Sequence, residues 1–406
     1  MVAIHTPVCP IGGWLRPLSG MSPPGEPYGG RLVDLEVSPA KAQQRLCEAA
    51  ELKKIQPFID FIYDAEKISV GAYSPLEGFM DSATFHKVTS EGLLPNGLPW
   101  TIPIVMAVKR DEAKGVREGE RVALLDWDGA VFATLDISEI YHLPKEEFAQ
   151  GAYGTTDQKH PNVADVFNNY GDMALAGKVA LLRRLELPTV AHEMTPKETR
   201  DLFRRKGWRN VVAYQCRNPP HTAHEYIQKV SLERSDVDGL FVQPVIGRLK
   251  KGDYKPTVIM EAYRQVVEGY YPVDRAVLSS LSITMRYGGP KAALFLAIVR
   301  KNFGATHYIV GRDQAGVGKF YDPYACHRIF DQFDVGIIPL RYMETFYCKE
   351  CKTMATAKTC PHGEEAHLSV SQTHMRQLLQ EGKELPTEIL RPEVIAVLKR
   401  GDATLT

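Results

Sequence analysis

The sequence predicts an α/β protein with three parts: a mainly β N-terminal domain, a parallel α/β domain and a small cysteine-containing C-terminal region. Between residues 50 and 185, short apolar runs are separated by Gly, Pro and Asp-Gly, a pattern typical of strands and turns. Between residues 186 and 340, apolar runs alternate with helical patterns, which favours a parallel sheet with helices on both faces. Three cysteines then lie between residues 348 and 360. We therefore expect domains at residues 1–185, 186–340 and 341–406.

The composition excludes several classes of partner. The 49 basic residues equal the 49 acidic residues among 406, so no overall field attracts the chain to nucleic acid or to an anionic membrane. No apolar run reaches the length needed to span a bilayer, and the N-terminus lacks a basic start followed by a continuous apolar core. We therefore expect a cytoplasmic protein that binds neither membranes nor nucleic acid.

The N-terminal part contains few regular patterns. The first 40 residues are rich in Pro and Gly and are expected to cross the surface as loops and short strands. Apolar runs at residues 102–108 and 121–127 predict strands. Asp128 and Gly129 then predict a hairpin turn.

The middle part has a regular order of elements. Thr195, Pro196 and Glu198 form an N-cap, a first-turn proline and a capping-box partner, which predict a helix to Gly207. Further strands are expected at residues 211–214, 239–246, 276–281 and 307–310, with helices after residue 220, near Pro256 and at Pro290. Two short helices are expected near Gln372 and Pro392. Ligands of such a sheet bind beyond the carboxyl ends of its strands.

The string QCRNPPHTAH at residues 215–224 lies where a predicted strand ends and a helix begins. Free N–H groups and the helix dipole make this position suitable for phosphate or sulfate. His221 and His224 would share one helix face, and Arg217 offers a forked guanidinium to an oxyanion. A His-x-x-His pair alone is more often a capped surface feature or a partial metal site. The longer string is far more specific.

This string resembles the Gln-x-Arg-Asn-Pro-x-His-x-x-His motif of the ATP sulfurylases, whose His-x-x-His part recurs in other nucleotidylyltransferases of related fold. Segments at residues 69–80, 153–161, 285–290 and 311–318 also resemble segments of that family, in the same order. The resemblance extends from about residue 30 to the C-terminus. It implies a PUA-like N-terminal domain, a Rossmann-like nucleotidyltransferase domain and the reaction of sulfate with ATP to give adenosine phosphosulfate and pyrophosphate.

The resemblance also implies roles for single residues. Sulfate would bind Gln215, Arg217 and the backbone N–H of Gly289. The catalytic set would be Arg217, Asn218, His221, His224 and Arg286. ATP would contact the last four of these together with Gly311, Arg312, Asp313 and Gln314. Sulfate is already deprotonated at neutral pH, so its attack requires positioning and charge neutralisation, with Mg²⁺ on the phosphates, rather than a base.

Three segments depart from the family pattern or add to it. Gln314 stands where many members have His, which indicates either a variant of the sulfate-reducing and sulfur-oxidising branch or an inactive paralogue. Residues 250–253 (KKGD) occupy the place of a mobile loop and could gate the site or simply be solvated. Residues 369–376 resemble a terminal family string in which Arg376 could contact phosphate.

The cysteine cluster predicts a structural metal site. Cys348 and Cys351 form one short-spaced pair, and Cys360 and His362 form another. Four soft or borderline ligands with this spacing favour tetrahedral Zn²⁺ with no open position. His367 is an alternative to His362 as the fourth ligand.

Other functions remain open from the sequence. One is a nucleotidylyltransferase with another acceptor, and a second is an RNA-binding protein, although no basic, aromatic-interleaved tract supports it. A third is the same enzyme working in the ATP-forming direction. No phosphate-binding Gly-x-x-x-x-Gly-Lys-Ser/Thr string occurs, since Phe320 follows Gly318 and Lys319, so a fused kinase is not expected. The expected partners are ATP, sulfate, adenosine phosphosulfate and pyrophosphate, in a homodimer.

Overall fold

The computed structural model describes residues 25–248, 253–368, 375, 377–378, 381, 383–400 and 403. Within them, the strands form one sheet of six strands, one of five and one of three. Residues 250–252, 369–374 and Arg376 lie outside the described residues, and so does most of the predicted helix near Gln372. None of the described helices is both long and apolar enough to cross a bilayer.

The six-stranded sheet belongs to the N-terminal part, with the order β1-β4-β5-β6-β2 and β3 also paired with β6. Its strands are β1 Lys54–Ile55, β2 Gly78–Phe79, β3 Ala107–Val108, β4 Arg121–Leu125, β5 Val131–His142 and β6 Met173–Leu181. Its helices are α1 Pro39–Ala50, α2 Ile59–Ser69, α3 Ser82–Glu91, α4 Arg110–Ala113, α5 Lys145–Tyr153 and α6 Pro161–Asn168.

The predicted hairpin is confirmed, but the expected balance of strand and helix is wrong. β4 and β5 are antiparallel, and their turn contains Gly129 at φ +78°. Helical residues nevertheless outnumber strand residues in this part. α2 shows why, because it buries Asp60, Asp64 and other polar side chains along with its apolar ones. A helix buried on nearly all sides has no amphipathic stripe in its sequence.

The five-stranded sheet is fully parallel, with the order β11-β10-β7-β8-β9. Its strands are β7 Val211–Tyr214, β8 Gly239–Val242, β9 Ala276–Leu278, β10 His307–Val310 and β11 Ile338–Arg341. Its helices are α7 Pro196–Arg205, α8 Thr222–Leu232, α9 Pro256–Tyr270, α10 Pro290–Asn302 and α11 Ala325–Gln332. The predicted strands and helices are confirmed, including the capping box of Thr195 and Glu198, whereas β11 and α11 were not predicted.

Alternate residues of β7 face two different hydrophobic cores, as expected for a sheet with helices on both faces. Val211 and Ala213 pack in a core that contains α10 and much of the N-terminal part. Val212 and Tyr214 pack in the core that contains α9. Every residue of α10 from Ala292 to Asn302 is buried. The N-terminal part therefore packs against one face of the parallel sheet through α10.

The C-terminal part forms a small antiparallel sheet with the order β13-β12-β14. Its strands are β12 Thr345–Cys348, β13 Thr353–Thr356 and β14 His367–Leu368. The chain then returns to the parallel domain, where Thr222 N–H at the start of α8 donates to the Ile389 carbonyl at 2.7 Å. The predicted final helix is confirmed as α12 Pro392–Leu398, and Val394 and Val397 pack in the core of α9.

Candidate active site

The predicted histidine pair lies at the N-terminus of α8. His221 is the N-cap residue, and its Nδ1 accepts the His224 N–H at 3.3 Å. The two imidazole rings stack with centroids 3.4 Å apart. Because Nδ1 of His221 accepts a backbone proton, the ring proton of the neutral imidazole lies on Nε2. The His-x-x-His spacing thus places His221 as the N-cap of α8 and brings its ring against that of His224.

Burial keeps both histidines neutral. It lowers the pKa of His221 well below its usual value, and the neighbouring His224 lowers it further. Burial also lowers the pKa of His224 to about 3. Nδ1 of His224 is buried and has no hydrogen-bond partner among the described residues. Both rings therefore offer hydrogen-bonding nitrogens rather than positive charge.

Arg217 and Gln215 lie between the end of β7 and α8. Nη2 of Arg217 makes an ion pair with the Asp253 carboxylate, and the guanidinium lies 5.4 Å from the centre of the Tyr287 ring. Gln215 is buried, and its Oε1 has no hydrogen-bond partner among the described residues. A buried acceptor of this kind and a fixed guanidinium are suited to recognise a polar ligand.

The loop after β10 forms the opposite side of the site. Asp313 and Ala315 have φ of +52° and +58°, a left-handed conformation that residues other than Gly adopt at a cost. Between them, Gln314 Nε2 donates to the Tyr308 hydroxyl at 3.1 Å. Arg312 lies 3.5 Å from Glu344. The buried Tyr308 thus holds the loop at Gln314, and the exposed ion pair with Glu344 holds it at Arg312.

A cavity of about 520 Å³ joins these segments. Its lining includes Gln215, Arg217, Asn218, His221 and His224 after β7, and Gly311, Arg312, Asp313 and Gln314 after β10. A third wall, residues 342–345, follows β11. The cavity therefore lies beyond the carboxyl ends of parallel strands, as predicted, and its volume suits a small-molecule ligand.

Two predicted site residues do not line this cavity. Arg286 is 3 % exposed, is paired with the Asp64 carboxylate and lies 3.4 Å from the Tyr170 hydroxyl. Its buried carboxylate neighbours hold its pKa well above the usual value, against the effect of burial. The Gly289 N–H donates to the Ala315 carbonyl at 3.0 Å. In this structure both groups are engaged in internal bonds, so their predicted ligand contacts stay predictions.

Several lining residues were not identified from the sequence. In the sequence, Asp253 is marked only by its place in the charged segment 250–253, yet it is 3 % exposed and paired with Arg217. Tyr287 was part of a family-like segment without an assigned role. Residues 342–345 follow the unpredicted strand β11, so no local signal marked them. Their participation depends on the order of strands, with β11 beside β10.

The predicted metal ligands form a compact cluster beside this wall. Nδ1 of His362 lies 3.4, 3.3 and 3.7 Å from the Sγ atoms of Cys348, Cys351 and Cys360, and two of the sulfurs are 3.9 Å apart. Ordinary zinc bond lengths in a tetrahedron give ligand separations of roughly 3.6–3.8 Å. His367 instead stacks on Phe346 and approaches the His362 carbonyl at 3.0 Å. The four donor atoms are therefore close enough to hold a metal ion together, and His362 rather than His367 lies among the three sulfurs.

The fold and the cavity define a class: a parallel α/β protein with an anion-suited helix N-terminus at the edge of its sheet. Residues 191–401 match the ATP-sulfurylase family model, and residues 25–184 match the model of a PUA-like domain. The chain belongs to the ATP-sulfurylase family.

Relatives match nearly the whole chain. The sulfate adenylyltransferase of Hyperthermus butylicus is 44% identical over 92% of this chain and 95% of its own length. That of Halothermothrix orenii is 42% identical over 93% of this chain and 99% of its own length. A solved structure, the hexameric APS kinase from Thiobacillus denitrificans, is 26% identical with a TM-score of 0.72, and the match covers 94% of this chain and 69% of that one.

Proposed function

We propose that the cavity between α8 and the loop after β10 is where this chain carries out the reaction of its family. The chain is a sulfate adenylyltransferase, which joins sulfate to ATP to give adenosine phosphosulfate and pyrophosphate, and its relatives are 42–44% identical over more than 90% of its length. One observation supports the location: most residues of the QCRNPPHTAH string and residues 311–314, far apart in sequence, line the same cavity.

At one end of the cavity, Arg217 and Gln215 would bind sulfate. Asp253 holds one nitrogen of the guanidinium, while no described residue accepts from Nε or Nη1. Those N–H groups can form charge-assisted bonds with sulfate oxygens. A bound dianion needs no general base, so the step follows from placing a sulfate oxygen in line with the α-phosphorus and the departing pyrophosphate.

At the N-terminus of α8, Asn218, His221 and His224 would hold the ATP phosphates. The helix dipole and the imidazole nitrogens act on the oxygens where negative charge grows during the reaction. Because the histidines of the free protein are neutral, we propose that they act as hydrogen-bond donors. Mg²⁺ enters as part of the MgATP substrate and neutralises phosphate charge.

The loop from Gly311 to Gln314 would bind the adenosine part of ATP. Gln314, which stands where many family members have His, is held by the Tyr308 hydroxyl. We propose that its amide fixes the loop without carrying charge, which favours a functional variant over an inactive paralogue. The predicted contacts of Arg286 and Gly289 would require their bonds with Asp64 and Ala315 to open.

The Cys/His cluster would hold a structural Zn²⁺ through Cys348, Cys351, Cys360 and His362. A bound zinc would cross-link β12 to the turn that carries Cys360 and His362, and the four protein donors would leave no position for a substrate. Since β12 begins at Thr345 and Thr345 lines the cavity, the cluster would also support one wall of the site.

We further propose domain boundaries at residues 185 and 340. The first is close to the limits of the two family matches at residues 184 and 191, whereas the ATP-sulfurylase match continues across the second to residue 401. The homodimer, the cytoplasmic location and the direction of the reaction in the cell stay predictions.

The test is to measure pyrophosphate release from MgATP by the purified protein with and without sulfate, and ATP formation from adenosine phosphosulfate and pyrophosphate. We expect both activities, with release dependent on sulfate. Release that another acceptor stimulates but sulfate does not would support a different nucleotidylyltransferase. If the folded protein is silent in both assays, the proposed function is wrong.

A further inference from the structure

One short segment connects the N-terminal part to the proposed sulfate end of the cavity. Side chains of the N-terminal part bind each residue from Thr284 to Tyr287. The Thr284 hydroxyl donates to Asp60 at 2.7 Å, and the Met285 carbonyl accepts from Asn162 at 3.2 Å. Arg286 pairs with Asp64. The segment is therefore fixed from outside the parallel domain.

Tyr287 has the most direct contact with the site. Its ring centre lies 5.4 Å from the guanidinium carbon of Arg217, within the range of a cation–π interaction. Its backbone is held at both polar atoms, because its N–H donates to Asn162 at 3.4 Å and its carbonyl lies 2.9 Å from Nε2 of His160. The position of the ring thus depends on residues of α6 and of its N-cap.

His160 is the central residue of this arrangement. It is 0 % exposed, and its Nδ1 accepts the Val163 N–H as the N-cap of α6. With Nδ1 as acceptor, the proton of the neutral ring is on Nε2 and points to the Tyr287 carbonyl. The Tyr321 hydroxyl lies 3.2 Å from the same nitrogen and donates to the Tyr153 carbonyl. His160 therefore links the start of α6 to the segment beneath Arg217.

We propose that His160 is a positioning residue for the sulfate site. It fixes Tyr287, whose ring, together with Asp253, sets the orientation of the Arg217 guanidinium. The inference rests on the proposed function, in which Arg217 binds sulfate. It gives the N-terminal domain a defined part in the reaction, because the domain supplies support for the residues that would bind sulfate.

Two substitutions at His160 separate this role from a purely structural one. His160→Asn retains a short acceptor that can cap α6, but its amide is too short to take the place of Nε2. His160→Gln can place an amide N–H near the Nε2 position. We expect His160→Asn to raise the KM for sulfate about three- to tenfold, the range for loss of a partly desolvated cation–π contact, with little change in the KM for ATP. His160→Gln should restore most of the sulfate KM.

Tyr287 provides an independent pair of variants if the His160 variants do not fold. Tyr287→Leu removes the ring and should raise the sulfate KM to a similar extent, whereas Tyr287→Phe keeps the ring and should not. In the Tyr287→Leu background, His160→Asn should have little further effect on the sulfate KM, because both changes remove the same contact.

Other results would overturn the inference. Equal changes in both KM values, no difference between His160→Asn and His160→Gln, or fully additive effects with Tyr287→Leu would each show that His160 does not act through Tyr287. A wild-type protein without sulfate-dependent activity, or an Arg217→Ala variant with normal activity, would instead refute the proposed function.

Discussion

The cavity and the Cys/His cluster both contain histidines, but their polar atoms are arranged in opposite ways. Among the residues that line the cavity, Gln215 Oε1 and His224 Nδ1 are buried and lack partners among the described residues. In the cluster, the four donor atoms face one another, all within 4.8 Å. Buried polar groups that lack partners favour binding of a ligand, whereas a closed donor set favours a structural metal. The difference predicts that changes in the first region affect rate and changes in the second affect stability.

The largest effect is expected at Arg217. Arg217→Ala should lower kcat/KM for sulfate by about 10²- to 10³-fold, since a charge-assisted contact that holds sulfate in position for attack is lost. The same substitution leaves the buried Asp253 without this cation and should therefore also lower the stability. Arg217→Lys keeps the charge but not the forked guanidinium, so it should lose activity but be more stable than Arg217→Ala. Arg121→Ala, at an exposed ion pair between β4 and β5 of the N-terminal part, is the matched control. Normal steady-state kinetics for Arg217→Ala would show that the cavity is not the sulfate site.

A smaller loss is expected at His224, and it tests whether the ring acts as a neutral hydrogen-bonding group. His224→Ala should lower kcat about 10²-fold. His224→Asn, whose amide nitrogen can occupy the position of Nδ1, should retain clearly more activity. Because burial lowers the pKa of His224 to about 3, its titration should not appear in the rate profile between about pH 6 and pH 8. If the pH–rate profile of wild type has an inflection in that range and His224→Asn removes it, the enzyme uses the charged ring.

The Cys/His cluster should respond in stability more than in rate. Cys351→Ser should abolish zinc binding and lower the stability by about 2 kcal/mol, which for a large domain reduces the thermal midpoint by a few degrees. Cys47→Ser is the control, since Cys47 is exposed and outside the cluster. Metal content and thermal unfolding are the measurements. Equal zinc content in Cys351→Ser and wild type would refute the metal site.

The smallest effect is the pH dependence of stability. The folded-state pKa of His224 lies below its usual value of 6.5, so between these values the unfolded chain binds a proton that the folded chain does not. Stability from this residue is therefore complete above about pH 6.5 and falls as the pH is lowered, by at most about 1.4 kcal/mol per pH unit. Urea unfolding of wild type and His224→Asn at several pH values should show the shallower decrease in the variant. If the free energy of unfolding depends on pH identically in the two proteins, the His224 ring is solvated in the folded protein.

The sequence predicted the helices and strands around the cavity better than it predicted the N-terminal fold. The string from Gln215 to His224 is contiguous, and its cap and helix are local features. The capping box of Thr195 likewise predicted α7, and Pro290 the start of α10. In the N-terminal part, α2 buries polar residues whose partners are distant, such as Asp64 with Arg286 and Glu66 with Arg184. Periodicity cannot reveal a helix whose buried face is partly charged.

The sequence alone determined which residue types could bind phosphate and sulfate, where α8 begins and which four side chains could bind a metal, because these features depend on spacing along one segment. Only the tertiary structure decided that β11 lies beside β10, that Arg286 pairs with Asp64 and that His160 reaches Tyr287. These contacts join residues 31, 222 and 127 positions apart along the chain. They depend on the order of strands and on the packing around α10, and no local pattern in the sequence encodes them.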